Sequence, residues 1–368
     1  MQTLPLITHS SLDKTIAWRN GKAISVQRFL ADVDDLAALL PAGKHILNVC
    51  RDRYHFTVGL AAAMISNKIS VLPPTHTPEM IRQLKTFCPD VFCLHDNLDC
   101  NIALPQLSYP TMVKHTNREL KIPQVDVQQL IAIVFTSGST GAPVPHAKTW
   151  GSLVRNVQTQ AKRLGLLAED NYNIIGTIPP QHMYGLESTV LLPLQTSNAL
   201  SSAQPFYAAD IASEIETIPA PRMLVSTPLH LRLLLDAELN LSELTLILSA
   251  TAPLSVSLAL KLEKTLKTPL IEIYGSTETG QIATRRTTHS EVWHLLPQVR
   301  LTQRGEKIWA EGGHVETAAA LNDLIETTHA DHFLLHGRTQ DLINIAGKRS
   351  SLANLNHHLN AIDGVIDG

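Results

Sequence analysis

The sequence predicts an α/β protein whose large N-terminal domain contains two doubly wound α/β subdomains and a β-rich subdomain. Short apolar runs alternate with amphipathic stretches along most of the 368 residues. Such strand–helix alternation with short connections favours right-handed parallel units. The length also exceeds what one hydrophobic core usually serves, so more than one subdomain is expected. Beyond Gln281 the pattern changes to short β-like pieces, such as residues 306–310 and 332–335.

The first subdomain begins with a helix that Ser25 caps and that ends by Pro41 and Gly43. Strands are then predicted at 46–50, 70–73 and 90–94, with helices at 53–66 and 78–87. Residues 99–128 are polar, contain several prolines and are weakly periodic, which indicates a surface connection. Residues 130–135 form a continuous apolar run, as in a buried parallel strand.

The second subdomain repeats this alternation without a detectable sequence repeat. It opens with a helix whose apolar face includes Trp150, Leu153 and Val157. Strands are predicted near 173–178, 222–226, 244–249 and 270–274, with helices near 185–196, 208–218, 229–239 and 255–266. Two similar α/β halves packed together would produce this pattern.

Composition and charge narrow the classes of function. Hydrophobic content of 44% with 17% charged residues is typical of a globular protein in water. The formal charge of −3 provides no electrostatic footprint for nucleic acid. No apolar run is long enough to span a membrane, and the N-terminus lacks the pattern of a signal peptide, so a cytoplasmic location is expected. Four cysteines and 17 scattered histidines match neither a disulfide framework nor a zinc-ligand spacing.

A hydroxyl- and glycine-rich loop follows the apolar run at 130–135. Its residues are Thr136, Ser137, Gly138, Ser139, Thr140 and Gly141. Glycines let backbone N–H groups approach a ligand closely, and hydroxyls donate to anionic oxygens, so the loop has the chemistry of a polyphosphate cradle. It is not a Walker A loop, because no Gly-Lys-Ser/Thr follows at the required spacing. A polar turn between a strand and a helix is the alternative.

A second apolar run ends in Tyr274, Gly275, Ser276, Thr277 and Glu278. Phe-Thr-Ser-Gly-Ser-Thr-Gly followed about 140 residues later by Tyr-Gly-Ser-Thr-Glu resembles the adenylate-forming superfamily. That superfamily contains acyl-CoA synthetases, aryl-acid ligases, luciferases and the adenylation domains of nonribosomal peptide synthetases. The motifs are specific, and the resemblance covers about residues 10–360.

The resemblance implies a site for ATP and Mg²⁺. It assigns residues 136–141 to the β- and γ-phosphates, Tyr274 to the adenine face and Thr277 to the α-phosphate. Gly275 and Ser276 belong to the same ATP-binding motif. Glu278 would hold the Mg²⁺ ion, since a hard cation that bridges phosphate oxygens needs an oxygen ligand. On its own, Glu278 is typical of a solvated turn.

Two further segments complete the nucleotide site by resemblance. Ser249, Ala250 and Thr251 resemble the small-residue loop that lies against adenine. Asp323 resembles the aspartate that accepts from both ribose hydroxyls, and Arg338 follows at the family's spacing. An arginine there can reach ribose or phosphate.

His182, Tyr184 and Gly185 resemble the His-x-x-Gly region that opens the acid pocket of the family. His182 would lie near the carboxylate and the α-phosphate, which places it with Thr277 and Glu278 among the catalytic residues. Tyr184, Gly185 and Gly275 would border the acid. A neutral core histidine is the alternative for His182.

The sequence departs from the family just after the phosphate loop. The usual Pro-Lys-Gly is replaced by Pro143-Val144-Pro145-His146-Ala147-Lys148. Lys148 is a candidate to neutralise phosphate charge from this displaced position. The alternative is an exposed lysine at the start of a helix.

By resemblance, residues 1–337 form the adenylate-forming N-terminal domain, and residues 338–368 form a hinge and the incomplete beginning of a small C-terminal lid domain. Asp341 matches the hinge about which that lid rotates. The lid's lysine, which contacts the carboxylate and α-phosphate in the family, has no counterpart here. We expect a truncated chain rather than a protein that works without the lid.

The resemblance predicts a two-step ligase. A carboxylate attacks the α-phosphate of Mg-ATP to give an acyl-adenylate, and a thiol then takes the acyl group. The variant segment after the loop looks most like the aryl-acid ligases of bacterial aryl-polyene pigment clusters, which would load a hydroxybenzoate-type acid onto an acyl carrier protein. The alternatives are a coenzyme A ligase for a fatty or aromatic acid and a non-catalytic nucleotide-binding module.

Overall fold

The computed structural model describes residues 2–110, 120–137, 143–167, 171–338, 342–345 and 348–351. The strands in chain order are β1 Thr3–Pro5, β2 Thr15–Arg19, β3 Lys22–Ser25, β4 His45–Asn48, β5 Ile69–Leu72, β6 Phe92–His95, β7 Gln106–Ser108, β8 Gln124–Asp126, β9 Leu130–Ser137, β10 Pro143–Thr149, β11 Asn173–Gly176, β12 Ala199–Ser201, β13 Arg222–Ser226, β14 Leu246–Ser249, β15 Leu270–Ser276, β16 Gly280–Arg285, β17 Trp293–Leu295, β18 Arg300–Arg304, β19 Lys307–Gly312, β20 Val315–Ala320, β21 Asp323–His329, β22 His332–Arg338, β23 Leu342–Ile345 and β24 Lys348–Ser351.

The helices in chain order are α1 Val26–Ala37, α2 Arg53–Ile65, α3 Pro78–Phe87, α4 Trp150–Leu164, α5 Met183–Gly185, α6 Leu192–Leu194, α7 Ala208–Thr217, α8 Pro228–Asp236 and α9 Val256–Leu266, with a π-helical segment Leu186–Leu191 between α5 and α6. Ser25 caps α1 as predicted, because its hydroxyl accepts a hydrogen bond from the Arg28 amide. None of the described helices is both long and apolar enough to cross a bilayer.

The first large sheet has the strand order β10-β9-β5-β4-β6-β7. Its strands pair in parallel except β10, which forms an antiparallel hairpin with β9. No strand was predicted at 143–149, yet these residues form the edge strand β10. Pro143 and Pro145 are compatible with that position, because an edge strand need not donate every ladder hydrogen bond.

The second large sheet has the order β21-β22-β17-β16-β15-β14-β13-β11-β12-β2-β3. Its central strands β12, β11, β13, β14 and β15 are parallel, as the alternation predicted. The N-terminal hairpin β2–β3 extends one edge through parallel pairing of β2 with β12. At the other edge β16, β17, β22 and β21 are antiparallel. A separate three-stranded sheet β18-β19-β20 is formed by the chain between β17 and β21.

The hydrophobic core lies between and outside the two sheets, which confirms two α/β subdomains followed by a β-rich part. The main core joins α1, α2, α4 and the 183–194 segment with one face of each sheet; Phe29, Phe56 and Trp150 are fully buried there. α3 covers the outer face of the first sheet, and α7, α8 and α9 cover the outer face of the second. Five layers result, with both sheets covered on both faces.

Two sequence predictions are wrong in detail. The helix predicted at 185–196 is α5, a π-helical segment and α6 in succession, so the backbone is irregular where it passes the predicted acid pocket. The predicted surface connection at 99–128 contains the short strands β7 and β8. The other predicted strands and helices of both subdomains are present, with ends shifted by a few residues.

Candidate active site

The candidate site lies where four parallel strands of the second sheet end. The last residues of β11, β13, β14 and β15 are Gly176, Ser226, Ser249 and Ser276. In open α/β sheets ligands bind at such carboxyl ends. The β9–β10 hairpin of the first sheet approaches the same place, since Lys148 Nζ donates a 3.0 Å hydrogen bond to the Glu278 carbonyl oxygen.

The turn after β15 carries Thr277 and Glu278 at its tip. Ser276 and Thr279 close the turn through reciprocal bonds, from the Ser276 amide to Thr279 Oγ1 (3.1 Å) and from the Thr279 amide to Ser276 Oγ (3.3 Å). Gly275 is required by a close approach, because a Cβ there would lie 2.2 Å from the Gly280 carbonyl oxygen. Thr277 is half-buried and Glu278 is exposed, so both side chains are accessible to a ligand.

Thr136, His146 and Glu278 form a line from the hairpin to this turn. Thr136 Oγ1 lies 3.0 Å from His146 Nε2, and the same nitrogen lies 3.6 Å from Glu278 Oε1. Burial lowers the pKa of His146, while Glu278 acts against that shift. His146 was not among the residues predicted from the sequence to belong to the site. Ser137 ends β9, and the predicted phosphate contacts of Gly138, Ser139, Thr140 and Gly141 lie outside the described residues.

Glu278 suits Mg²⁺ better than a metal held by protein alone. No cluster of three or more His, Cys, Asp or Glu able to hold a metal ion occurs within the described ranges. Mg²⁺ in nucleotide sites is usually bound by one or two carboxylates, with phosphate oxygens and water completing its octahedron. The exposed carboxylate of Glu278, in the turn after β15, fits that donor set.

Tyr274 and Asp323 are in direct contact. The Tyr274 hydroxyl donates a 2.6 Å hydrogen bond to Asp323 Oδ2. The Tyr274 ring packs against Trp293 and Phe333, with ring centroids 5.6 and 5.5 Å away. Asp323 also pairs in register with Arg338 across β21 and β22. Residues predicted to contact adenine and ribose are therefore adjacent.

The predicted adenine loop follows β14. Ser249 is fully buried, and its hydroxyl has no hydrogen-bond partner among the described residues. Ala250 is buried, and Thr251 is exposed with a φ of 78°. Buried Glu272 on β15 accepts from the Leu254 amide (3.2 Å) and from Arg285 Nε (2.6 Å), which ties this loop to the neighbouring strand.

The predicted acid-pocket residues His182, Tyr184 and Gly185 lie on α5 and directly before it. His182 is exposed, so the alternative of a core histidine is wrong, although nearby protein desolvates the ring enough to lower the pKa of His182. Tyr184 is 8% exposed, and its hydroxyl has no hydrogen-bond partner among the described residues. Burial raises the pKa of Tyr184 well above its ordinary value. Gly185 is buried, and a Cβ there would lie 2.1 Å from the Pro179 carbonyl oxygen.

Arg53 contacts the ends of β11 and β12, and sequence reasoning missed it. It is fully buried and donates to the carbonyl oxygens of Gly176 (2.8 Å), Ile178 (3.0 Å), Ser201 (3.1 Å) and Ala203. Burial lowers the pKa of Arg53 to about 10, so the guanidinium remains charged at neutral pH. Arg53 begins a predicted helix, and nothing in the neighbouring sequence indicates that its side chain is buried.

Lys148 is not an exposed lysine at a helix start, so that alternative is wrong. It lies on β10 and is only 7% exposed. Its predicted contact with phosphate stays a prediction, as does the hinge at Asp341, which lies outside the described residues.

The family model described as "AMP-binding enzyme" matches residues 8–302. The chain belongs to the AMP-binding enzyme family. Among individual relatives, a 4-coumarate–CoA ligase of Rhodobacter capsulatus is 30% identical over 234 residues, which cover 64% of this chain and 58% of that ligase. A 4-chlorobenzoate–CoA ligase of an Arthrobacter species is 27% identical over 155 residues, 40% of this chain and 29% of that ligase. The chain thus spans little more than half of the first relative.

Solved structures of similar fold include the o-succinylbenzoate CoA synthetase of Bacillus subtilis. Its complex with an acyl-adenylate intermediate superposes with a TM-score of 0.84 at 17% identity, covering 100% of this chain and 85% of that chain. Its complex with ATP and magnesium ion superposes with a TM-score of 0.81 at 18% identity, covering 96% and 82%. At such identities the likeness establishes the fold of the chain and nothing further.

Proposed function

We propose that the protein is an ATP-dependent acid–thiol ligase. It activates a carboxylic acid as an acyl-adenylate, releases pyrophosphate and transfers the acyl group to a thiol. The observation that carries this proposal is the meeting of the two motif segments at Glu278, where His146 lies 3.6 Å from the carboxylate and Lys148 bonds the carbonyl. A polar turn of no function would not need strands from two sheets to converge on it.

In this proposal each predicted segment contacts one part of ATP. Asp323 and Arg338 bind the ribose. Tyr274 and the loop 249–251 contact adenine, and the loop 136–141 binds the β- and γ-phosphates. Glu278 would hold Mg²⁺, which when bound neutralises phosphate charge and favours departure of pyrophosphate. Thr277 donates to the α-phosphate.

The first step is an in-line displacement. A carboxylate oxygen of the acid forms a bond to the α-phosphorus, and the bond from that phosphorus to pyrophosphate breaks. In the second step a thiolate attacks the acyl carbon and AMP leaves. The protein contributes positioning and hydrogen-bond donors at phosphorus, and His182 stands at the entrance where carboxylate and α-phosphate would meet.

We infer that the acid is an aryl acid with a ring hydroxyl, of the 4-hydroxybenzoate type. The buried and unpaired Tyr184 hydroxyl supports this, because a buried polar group favours a ligand that supplies its missing hydrogen bond. The relatives named for 4-coumarate and 4-chlorobenzoate also act on aryl acids by their names.

The thiol that accepts the acyl group is the end of a pantetheine arm, carried either by coenzyme A or by an acyl carrier protein. The relatives are named as CoA ligases, which supports free coenzyme A. The segment from Pro143 to Lys148 supports the alternative, an acyl carrier protein of aryl-polyene synthesis. One assay separates them, namely acyl transfer from the adenylate to coenzyme A or to a phosphopantetheinylated carrier protein.

The decisive experiment is acid-dependent exchange of labelled pyrophosphate into ATP, with a panel of aryl and fatty acids. We expect exchange with 4-hydroxybenzoate that exceeds exchange with octanoate by more than about tenfold, since a site built for a hydroxyl rejects analogues that lack it. Nucleotide binding without exchange for any acid would instead establish a non-catalytic nucleotide-binding module.

A further inference from the structure

Four buried polar side chains lie beneath the turn that carries Thr277 and Glu278. These residues, called here the buried polar cluster, are Lys148, Asn156, Glu187 and Gln281, and none is more than 7% exposed. They come from β10, α4, the π-helical segment and β16. The proposed reaction gives no role to Asn156, Glu187 or Gln281.

Lys148 and Glu187 influence each other's ionisation within this cluster. Burial lowers the pKa of Lys148, and Glu187 is the charge that opposes this shift most strongly. Burial raises the pKa of Glu187, and Lys148 opposes that shift. Buried polar groups depend on their neighbours in this way because water does not solvate them, so removing either residue changes the environment of the other.

The cluster touches the turn at two points. Lys148 Nζ donates to the Glu278 carbonyl oxygen at 3.0 Å. Gly280 has a φ of 70°, and a Cβ there would lie 2.3 Å from Asn156 Nδ2 and 2.6 Å from Glu187 Oε1. Asn156 Nδ2 in turn donates a 2.8 Å hydrogen bond to Glu187 Oε1. The main chain at Glu278 and at Gly280 therefore lies directly on the cluster.

We propose that Lys148 and Glu187 are a pair of positioning residues that hold the main chain of the 276–280 turn, so that the Glu278 carboxylate is fixed for Mg·ATP. Glu187 acts through Lys148, and Lys148 acts through the Glu278 carbonyl. The inference rests on the proposed function for its ligand. It assigns the Lys148 amino group to the protein backbone rather than to the phosphates.

Three variants and a control test the pair. Lys148→Met removes the amino group and keeps the length of the side chain. Glu187→Gln keeps the shape and an oxygen that can accept from Asn156. The double variant tests whether one residue acts through the other. Glu316→Gln is the matched control, because Glu316 also raises the pKa of Lys148 but is exposed. Lys148→Arg, which keeps a cationic donor, replaces Lys148→Met if that variant does not fold.

Steady-state kinetics should show a change in the KM for Mg·ATP without a matching change in the KM for the acid. We expect Lys148→Met and Glu187→Gln each to raise KM for Mg·ATP at least about fivefold in pyrophosphate exchange, with KM for the acid within about twofold of wild type. In the Lys148→Met background, Glu187→Gln should add less than about twofold. If the effects of the two substitutions multiplied in the double variant, the residues would act independently, which contradicts the proposal. Equal changes in KM for Mg·ATP and KM for the acid would contradict it as well.

Hydrogen–deuterium exchange without nucleotide tests positioning independently of activity. Amides of residues 276–281 should exchange at least about tenfold faster in both single variants and at the wild-type rate in Glu316→Gln. Unchanged exchange in Lys148→Met together with weaker nucleotide binding would mean that Lys148 contacts phosphate directly, which contradicts the inference. A wild-type protein without pyrophosphate exchange would contradict the proposed function and leave this measurement interpretable.

Discussion

The Tyr274 hydroxyl donates a 2.6 Å hydrogen bond to Asp323 Oδ2, across 49 residues of sequence. A carboxylate oxygen held in this way has its orientation fixed, while the other oxygen can still accept from a ligand. Tyr274 is itself held by Trp293 and Phe333. The contact therefore joins the predicted adenine face and the predicted ribose acceptor into one preorganised unit.

Tyr274→Phe tests this unit. The ring stays and the donor to Asp323 is lost, so we expect KM for ATP to rise about three- to tenfold, which corresponds to the net contribution of one typical intramolecular hydrogen bond. KM for the acid should not change. Tyr207→Phe removes a hydroxyl from an exposed tyrosine and is the control. A change in KM for the acid alone would mean that Tyr274 faces the other substrate.

Glu278→Gln tests the metal assignment. The amide keeps the shape of the side chain and removes the charge that a hard cation needs, so the Mg²⁺ concentration for half-maximal exchange should rise at least about tenfold. Because Glu278 is exposed, the melting temperature should stay close to that of wild type. Glu306→Gln, at another exposed carboxylate, is the control. An unchanged Mg²⁺ requirement would exclude Glu278 as the ligand.

Gly280→Ala tests the close approach of the turn to the buried polar cluster. A left-handed φ costs alanine about 1–2 kcal/mol relative to glycine, and a Cβ would also lie 2.3 Å from Asn156 Nδ2. Gly305 is the matched control, since it has a φ of 62° with nothing near the added Cβ. In urea unfolding, Gly280→Ala should cost at least about 2 kcal/mol more than Gly305→Ala. Equal costs would contradict the close approach.

The strands that end at the site could be predicted from sequence, because residues 130–135 and 270–274 are apolar runs bounded by small polar residues. Such strands are buried on both faces, so their sequence pattern is local and strong. The edge strand β10 was missed because Pro143 and Pro145 are typical of a loop. In the sequence, the alternation of these prolines with Val144 and His146 is the feature that indicates an extended strand.

Contacts between distant segments could not be predicted in the same way. Asn20 and Gly21, with φ values of 50° and 72°, are a strong turn signal between β2 and β3. That signal does not reveal that β2 would pair with β12 of the second sheet. Likewise nothing local to Glu187 indicates a buried carboxylate, because its environment is created by Lys148 and Asn156 from other elements.

Arg53→Met tests whether the buried guanidinium stabilises the strand ends. The substitution leaves four carbonyl oxygens without their donor, and each unsatisfied buried acceptor costs about 1–3 kcal/mol, so we expect a loss of at least about 3 kcal/mol. Arg51→Met, at an exposed arginine two residues earlier, should cost less than about 0.5 kcal/mol. Urea unfolding measures both. Similar values for the two variants would show that Arg53 is not a structural donor.

His9 makes stability depend on pH. It is 3% exposed, its Nε2 lies 3.1 Å from the Asn198 carbonyl oxygen, and burial lowers the pKa of His9 to about 4. Burial likewise lowers the pKa of His314 to about 4. Below about pH 6.5 the unfolded chain binds protons that the folded protein does not accept until about pH 4. The contribution of each histidine is therefore complete above about pH 6.5 and decreases as the pH falls towards 4.

His9→Gln isolates that dependence. Glutamine can still donate to the Asn198 carbonyl but does not titrate, so the fall in unfolding free energy from pH 7 to pH 5 should be smaller than in wild type by about 2 kcal/mol. Urea unfolding at the two pH values measures it, with His336→Gln at an exposed histidine as the control. If wild type and His9→Gln lost equal stability over this range, His9 would take up its proton in the folded protein. The ring would then have to be solvated, which contradicts the burial of the N-terminal segment against Asn198.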